Sequence, residues 1–254
     1  MKKFLAILFL GFSVEASAQL QNRFAKDIFI SAGDTLPYRL YVAPSQKTTN
    51  PPLVLWLHGK GERGHDNVKQ LGGALLSIAD SVINGSYPAI LLVPQCPADD
   101  YWSVYDKTKE RMEQSTELTA TEITLIALLN DVIKEHHADP SRIYIVGMSM
   151  GGFGVWDLVT RYPEKFAAAV PICGGGDPSK AGKLKHVPVW AFHGADDKVI
   201  RSSFTQEIMS ELLNLQPQGM SKLTIYPGVG HNAWDYAVKE PGLLKWMFVQ
   251  KKEK

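Results

Sequence analysis

Six short, largely apolar runs recur along the chain: LVLWL (53–57), AILLV (89–93), RIYIV (142–146), FAAAVPI (166–172), VPVWAF (187–192) and LTIYP (223–227). A strand with one face in water alternates apolar and polar residues. A run that is apolar throughout needs cover on both faces, which a parallel sheet receives from the helices that cross over between its strands. The intervening stretches supply such helices, predicted at roughly 67–81, 120–137, 150–162, 202–214 and 241–250. The 120–137 segment carries the clearest signals. Thr119 followed by Glu122 has capping-box spacing, Ile123, Ile126, Ala127 and Asn130 share one face, and Asp139-Pro140 ends the segment. Ahead of this repetition, two β-rich runs between Lys26 and Val42 flank Ala-Gly-Asp-Thr and read as an antiparallel hairpin. The whole pattern predicts an α/β fold of about eight strands, mostly parallel, with helices on both faces and ligands bound beyond the carboxyl ends of the strands.

The N-terminus has a different layout. Lys2 and Lys3 precede an apolar run from Phe4 to Val14, and Ala16-Ser17-Ala18 stands before Gln19. This predicts an export signal over 1–18 and a single catalytic domain over 19–254, located in the periplasm or secreted. Glu15 interrupts the run too early for a span of about 20 residues. The formal charge of the 254-residue chain is +1, and losing Lys2, Lys3 and Glu15 brings it to zero. Such a surface has no field to attract nucleic acid or an anionic membrane. Neither partner is expected, and oligomeric state is not legible. Cys96 and Cys173 are the only cysteines. They end strands that two others separate in the usual order of such a sheet, beyond the reach of a disulfide, so both are expected as free thiols. His136 and His137 are adjacent on a helix and diverge, giving no metal site; no cofactor is implied either.

The chemistry concentrates where RIYIV ends. Gly147-Met148-Ser149-Met150-Gly151-Gly152 leads into an amphipathic stretch, so strand, GxSxG and helix follow in the order of a nucleophile elbow. A serine hydroxyl attacks a carbonyl only when exposed beside a base, and a sharp strand-to-helix turn exposes it. The Met150 amide at the helix start is one candidate oxyanion donor. The loop His58-Gly59-Lys60-Gly61-Glu62-Arg63-Gly64 offers the second through the backbone of Lys60 or Gly61. His58 is either a shaping residue of that loop or a substrate contact. Trp102, in the polar loop Ala98 to Leu118, is either a substrate-binding wall or a buried anchor. Acid and base should follow the serine. His186 precedes a strand and His193 ends one, whereas His231 lies in a glycine-rich loop after the last strand and is the candidate base. Asp196, Asp197 and Asp177 are the candidate acids.

Taken together, LHGKGERG, VPQCP with Trp102 following, GMSMGGFGVWD, YPEKFAAAVPICGGGD, HGADDKVI and GHNAWD resemble the secreted esterases related to polyhydroxybutyrate depolymerases, feruloyl esterases and dienelactone hydrolases, some labelled predicted peptidases. The likeness runs from about Lys26 to Val249. It implies the α/β-hydrolase fold and a Ser149, Asp197, His231 triad, since the aspartate four positions after the histidine of HGxxD is the acid in that group. It also implies a carboxylesterase acting on small-molecule or polymer-linked esters of carbohydrate, phenolic or short acyl type. A serine peptidase and an inactive polysaccharide-binding protein are the rival readings. The stretch between Cys173 and Val187, short where many lipases insert a helical lid, implies an open site.

Overall fold

The computed structural model describes residues 18–31, 33–44, 49–104, 110–216 and 220–252; most of the expected export signal lies outside them. Among the described residues no helix is long and apolar enough to cross a membrane.

Eight strands form one sheet: β1 (Ala25–Ser31), β2 (Asp34–Tyr41), β3 (Leu53–Leu57), β4 (Ile90–Pro94), β5 (Ile143–Met148), β6 (Ala168–Ile172), β7 (Trp190–Gly194) and β8 (Lys222–Tyr226). Their order is β1-β2-β4-β3-β5-β6-β7-β8. The first two make an antiparallel hairpin, with Ser31 opposite Asp34, and β2 runs antiparallel to β4. All later pairings are parallel. Strands β3 to β7 are buried along their whole length, as their apolar runs require.

Side-chain alternation divides the core into two layers. On β3, Leu53, Leu55 and Leu57 enter the layer packed by α2 (Ala120–Glu135) and α3 (Met150–Arg161). Val54 and Trp56 enter the opposite layer, packed by α1 (Leu75–Ile83) and α6 (Leu243–Val249). Two more helices, α4 (Ser203–Leu215) and α5 (Trp234–Ala237), flank β8 in sequence.

One local expectation needs correcting. The helix expected from residue 67 is a 3-10 turn, Lys69–Leu71, and α1 begins only at Leu75, because Gly73 adopts φ +57° and breaks the helical path. On α2 the face shared by Ile123, Ile126, Ala127 and Asn130 borders the surface, with Ile123 54% exposed and Ile126 half-buried, while Leu125, Leu128, Leu129 and Val132 are buried. Thr119 does cap α2, accepting from the Glu122 amide at 2.9 Å. The Glu122 carboxyl is turned back toward the Thr119 backbone amide and also approaches Arg161 Nε at 3.1 Å. Asp157 Oδ2 meets the same nitrogen at 2.7 Å, so two buried carboxyls share one guanidinium, and burial with the Asp157 charge pushes the Glu122 carboxyl up.

The thiols of Cys96 and Cys173 are free and buried. Strands β3 and β5 lie between the strands that they follow.

Candidate active site

Ser149 stands between β5 and α3 with φ 54° and ψ −117°, a conformation that costs a side-chain-bearing residue about 1–3 kcal/mol. Several contacts hold it there. Its amide donates to Ile172 C=O at 2.8 Å, on the neighbouring strand, and its own C=O accepts from the Phe153 amide at 3.1 Å. The turn closes because nothing projects from Gly151: a Cβ there would lie 2.0 Å from the Leu57 carbonyl oxygen. The elbow therefore presses directly against the end of β3 and lifts the hydroxyl clear of the core.

Three distant segments meet at that hydroxyl. Ser149 Oγ lies 2.8 Å from His231 Nε2. His231 Nδ1 lies 2.7 Å from Asp197 Oδ2. Trp234 meets the His231 ring edge-on, with centroids 5.2 Å apart, and so limits its rotation. Of the candidate acids, Asp197 is buried and in contact with His231, whereas Asp196 is exposed. Asp177 is employed elsewhere, accepting from the Ser179 and Gln114 amides. His186 is exposed on the surface.

Asp197 is held on all sides. Oδ1 accepts from the Val199 and Ile200 amides at 2.8 and 2.9 Å. Oδ2 meets His231 and also His193 Nε2 at 3.2 Å. Burial raises the carboxyl, but the Ile200 and Val199 amides and the His231 imidazole outweigh it and keep the group below its usual range. Ligand atoms of Cys173, His193 and Asp197 lie within 4.8 Å of one another. Because the oxygens of Asp197 and both nitrogens of His193 already have hydrogen-bond partners, that cluster is committed to supporting the acid.

The opposite wall is the loop after β3. Lys60–Glu62 form a 3-10 turn, whose bonds run from the Glu62 amide to Gly59 C=O and from the Arg63 amide to Lys60 C=O. The Lys60 and Gly61 amides, at the start of that turn, are left without an acceptor inside it, as is the Met150 amide at the start of α3. His58 orients the loop. Its Nε2 accepts from the Cys96 amide at 3.0 Å, so the ring proton sits on Nδ1, 2.6 Å from Gly59 C=O. Donation to that oxygen fixes the Gly59–Lys60 peptide plane and turns the Lys60 N–H the other way. Burial drives the His58 imidazole down to about 4, which keeps it neutral in this role.

His58 and Trp102, each read either as a structural residue of its loop or as a substrate contact, are fully buried, which fits the structural alternative and not the contact. Trp102 Nε1 donates to His58 C=O at 3.0 Å, and its ring meets that of His58 edge-on, so the pair anchors the loop. Their neighbours are the residues that reach the cleft. Tyr101, Ser103 and Val104 line a cleft of about 750 Å³ with Lys60, Gly61, Met150, Ser149 and His231; Asp100 and then Glu62, Val199, Ile200 and Trp234 are also in its lining. Sequence reasoning gave none of these last four a role, although Trp234 stands inside the GHNAWD block. Glu62 and Val199 had no signal beyond lying near motif residues.

The strand order, the elbow and the serine at the carboxyl end of β5 define an α/β hydrolase. Residues 40–240 match the model of the phospholipase/carboxylesterase family of that fold, and the chain belongs to this family. Among curated proteins it is similar to feruloyl esterase B of Thermothelomyces thermophilus, 28% identical over 181 residues, covering 71% of this chain and 58% of that protein. Poly(3-hydroxyalkanoate) depolymerase C of Paucimonas lemoignei is 26% identical over 139 residues, 52% of this chain and 30% of that protein. The chain thus spans little more than half, or less, of these relatives. A solved thermostable esterase superposes with TM-score 0.83 at 33% identity, covering 92% of this chain and 64% of that one.

Proposed function

We propose that this chain is an exported carboxylesterase that acts through an acyl-enzyme on Ser149. The observation that carries the reading is the unbroken hydrogen-bond chain from Ser149 Oγ through His231 to Asp197, at 2.8 and 2.7 Å. In the reaction, His231 Nε2 takes the hydroxyl proton as Oγ bonds to the ester carbonyl carbon. Asp197 holds the proton on Nδ1 and stabilises the imidazolium that forms. The negative charge on the former carbonyl oxygen is met by the Met150 amide and by the amide of Lys60 or Gly61. Collapse of the intermediate breaks the bond to the alcohol, which leaves with the proton from His231. Water, deprotonated by the same nitrogen, then attacks the acyl carbon and frees Ser149.

The open cleft, with Val104 and Val199 about half exposed at its edge, suits the end or side chain of an ester-bearing polymer, a phenolic ester or a small acyl ester. The relatives named as feruloyl esterase and polyester depolymerase support the same range. Export rests on the signal-like residues 1–18, placing the enzyme in the periplasm or outside the cell.

Matched ester and amide substrates, assayed with Ser149→Ala as control, test the reading. Ester turnover that disappears in the variant, with amide turnover far lower, is the expected result. Comparable amide turnover would make the protein a peptidase.

A further inference from the structure

Two carboxylates line the cleft, and their circumstances differ. Asp100 is used by the backbone, accepting from the Tyr101 and Thr121 amides at 2.7 and 3.0 Å. Glu62 meets backbone amides only of its own turn, its own and that of Gly59, and ties no second segment down. Its side chain folds back over Gly59: the position a Cβ would take on Gly59 is 3.2 Å from Glu62 Oε2 and 3.7 Å from Ser149 Cβ. The carboxylate therefore sits on the serine's side of the loop, half-buried, in the wall of the cleft.

Among the described residues no ammonium or guanidinium pairs with it; Lys60, two residues away, is exposed. Burial raises the carboxyl above its ordinary range, and only the amides of Glu62 and Gly59 oppose this. A carboxylate partly stripped of water and lacking a cation gains from any donor brought to it, and loses further if a second negative charge arrives.

We propose that Glu62 is a specificity residue of the cleft, accepting a hydrogen bond from a hydroxyl or ammonium group beside the scissile ester and disfavouring substrates that carry a carboxylate there. The inference rests on the esterase reading and adds a chemical class to it: esters of hydroxylated or amino-bearing compounds are preferred over esters of dicarboxylic acids.

The test is kcat/KM for 4-nitrophenyl esters of butanoate, 3-hydroxybutanoate, 3-aminopropanoate and succinate, together with the acetates of butanol and glycerol, in wild type, Glu62→Gln and Glu62→Ala. In the wild type a donor-bearing ester exceeds its neutral counterpart by about tenfold, and the succinate ester falls below butanoate by about tenfold. Glu62→Ala brings both ratios close to one. Glu62→Gln, which keeps an acceptor but not the charge, retains part of the hydroxyl preference and loses the ammonium preference and the succinate penalty, so the two donor types are told apart. Ratios unchanged in Glu62→Ala, even with every rate lowered by a common factor, would overturn the proposal and leave Glu62 a structural residue. A wild type that hydrolyses none of these esters and takes up no fluorophosphonate would instead overturn the esterase reading, and this inference with it.

Discussion

His193 Nε2 lies 3.2 Å from Asp197 Oδ2, the same oxygen that His231 Nδ1 meets at 2.7 Å. Ile200 C=O is the other group facing Nε2, at 3.1 Å. Both are acceptors, so Nε2 carries a proton, which bonds Ile200 C=O and also faces the acid from behind; burial lowers the imidazole. The proposed acid thereby faces four donor groups, three of them hydrogen-bonded to it, the Val199 and Ile200 amides and His231. Its charge is available to hold that ring and to stabilise it once protonated.

Removing the acid and removing its support should differ in kind. Asp197→Asn is expected to lower kcat by about 10⁴, because an amide facing Nδ1 favours the wrong imidazole tautomer. His193→Ala leaves the acid in place and should cost about tenfold. With one donor gone, more of the Asp197 charge falls on His231, so the acid limb of the kcat/KM profile moves to higher pH. A pH profile of unchanged shape in His193→Ala would reduce His193 to a packing residue.

Acid stability should report on His58. Its imidazole titrates near 4 in the folded protein against 6.5 ordinarily. Between those values the unfolded chain takes up a proton that the folded chain refuses. This contribution is therefore fully present above about pH 6.5 and lost as the pH falls toward 4, by about 3 kcal/mol. Asp139, held down to about 2 with an ordinary value of 3.8, acts only below this window. Glu122, pushed up by burial, acts in the opposite sense within part of it, so the comparison must be made against His58→Gln. Urea unfolding from pH 4 to 7 should show a shallower slope in that variant.

Gly151→Ala is expected to destabilise the fold by about 3 kcal/mol or more, since the added methyl meets the Leu57 carbonyl oxygen and neither backbone segment can retreat. A melting temperature within a degree or two of wild type would mean that the elbow is looser than described.

Both cysteines should resist thiol reagents in the native state, because burial pushes each thiol up to about 12. Two equivalents should react once the unreduced protein is denatured. Fewer than two would indicate a disulfide.

The parts of this molecule legible in its sequence are those where one physical requirement dominates. Continuous apolar runs announced the central strands because a doubly covered strand tolerates little else, and the GxSxG turn announced the elbow because the close approach of Gly151 to Leu57 excludes a side chain. Where two readings satisfied the same requirement, the pattern could not choose. The outward Ile123 and the inward Leu125 both suit a helix, and Trp102 suits a wall as well as an anchor until the position of His58 C=O is known. The roles of His193 and Glu62 depend on loops folding back across the sheet edge, which leaves no periodic trace in a linear chain.

Ser149 is the residue proposed to become acylated. Intact mass and peptide mapping after fluorophosphonate treatment test this most directly. One adduct, on the peptide containing Ser149 and absent from Ser149→Ala together with ester turnover, is the predicted result; an adduct that persists in the variant, or forms on another residue, would contradict it.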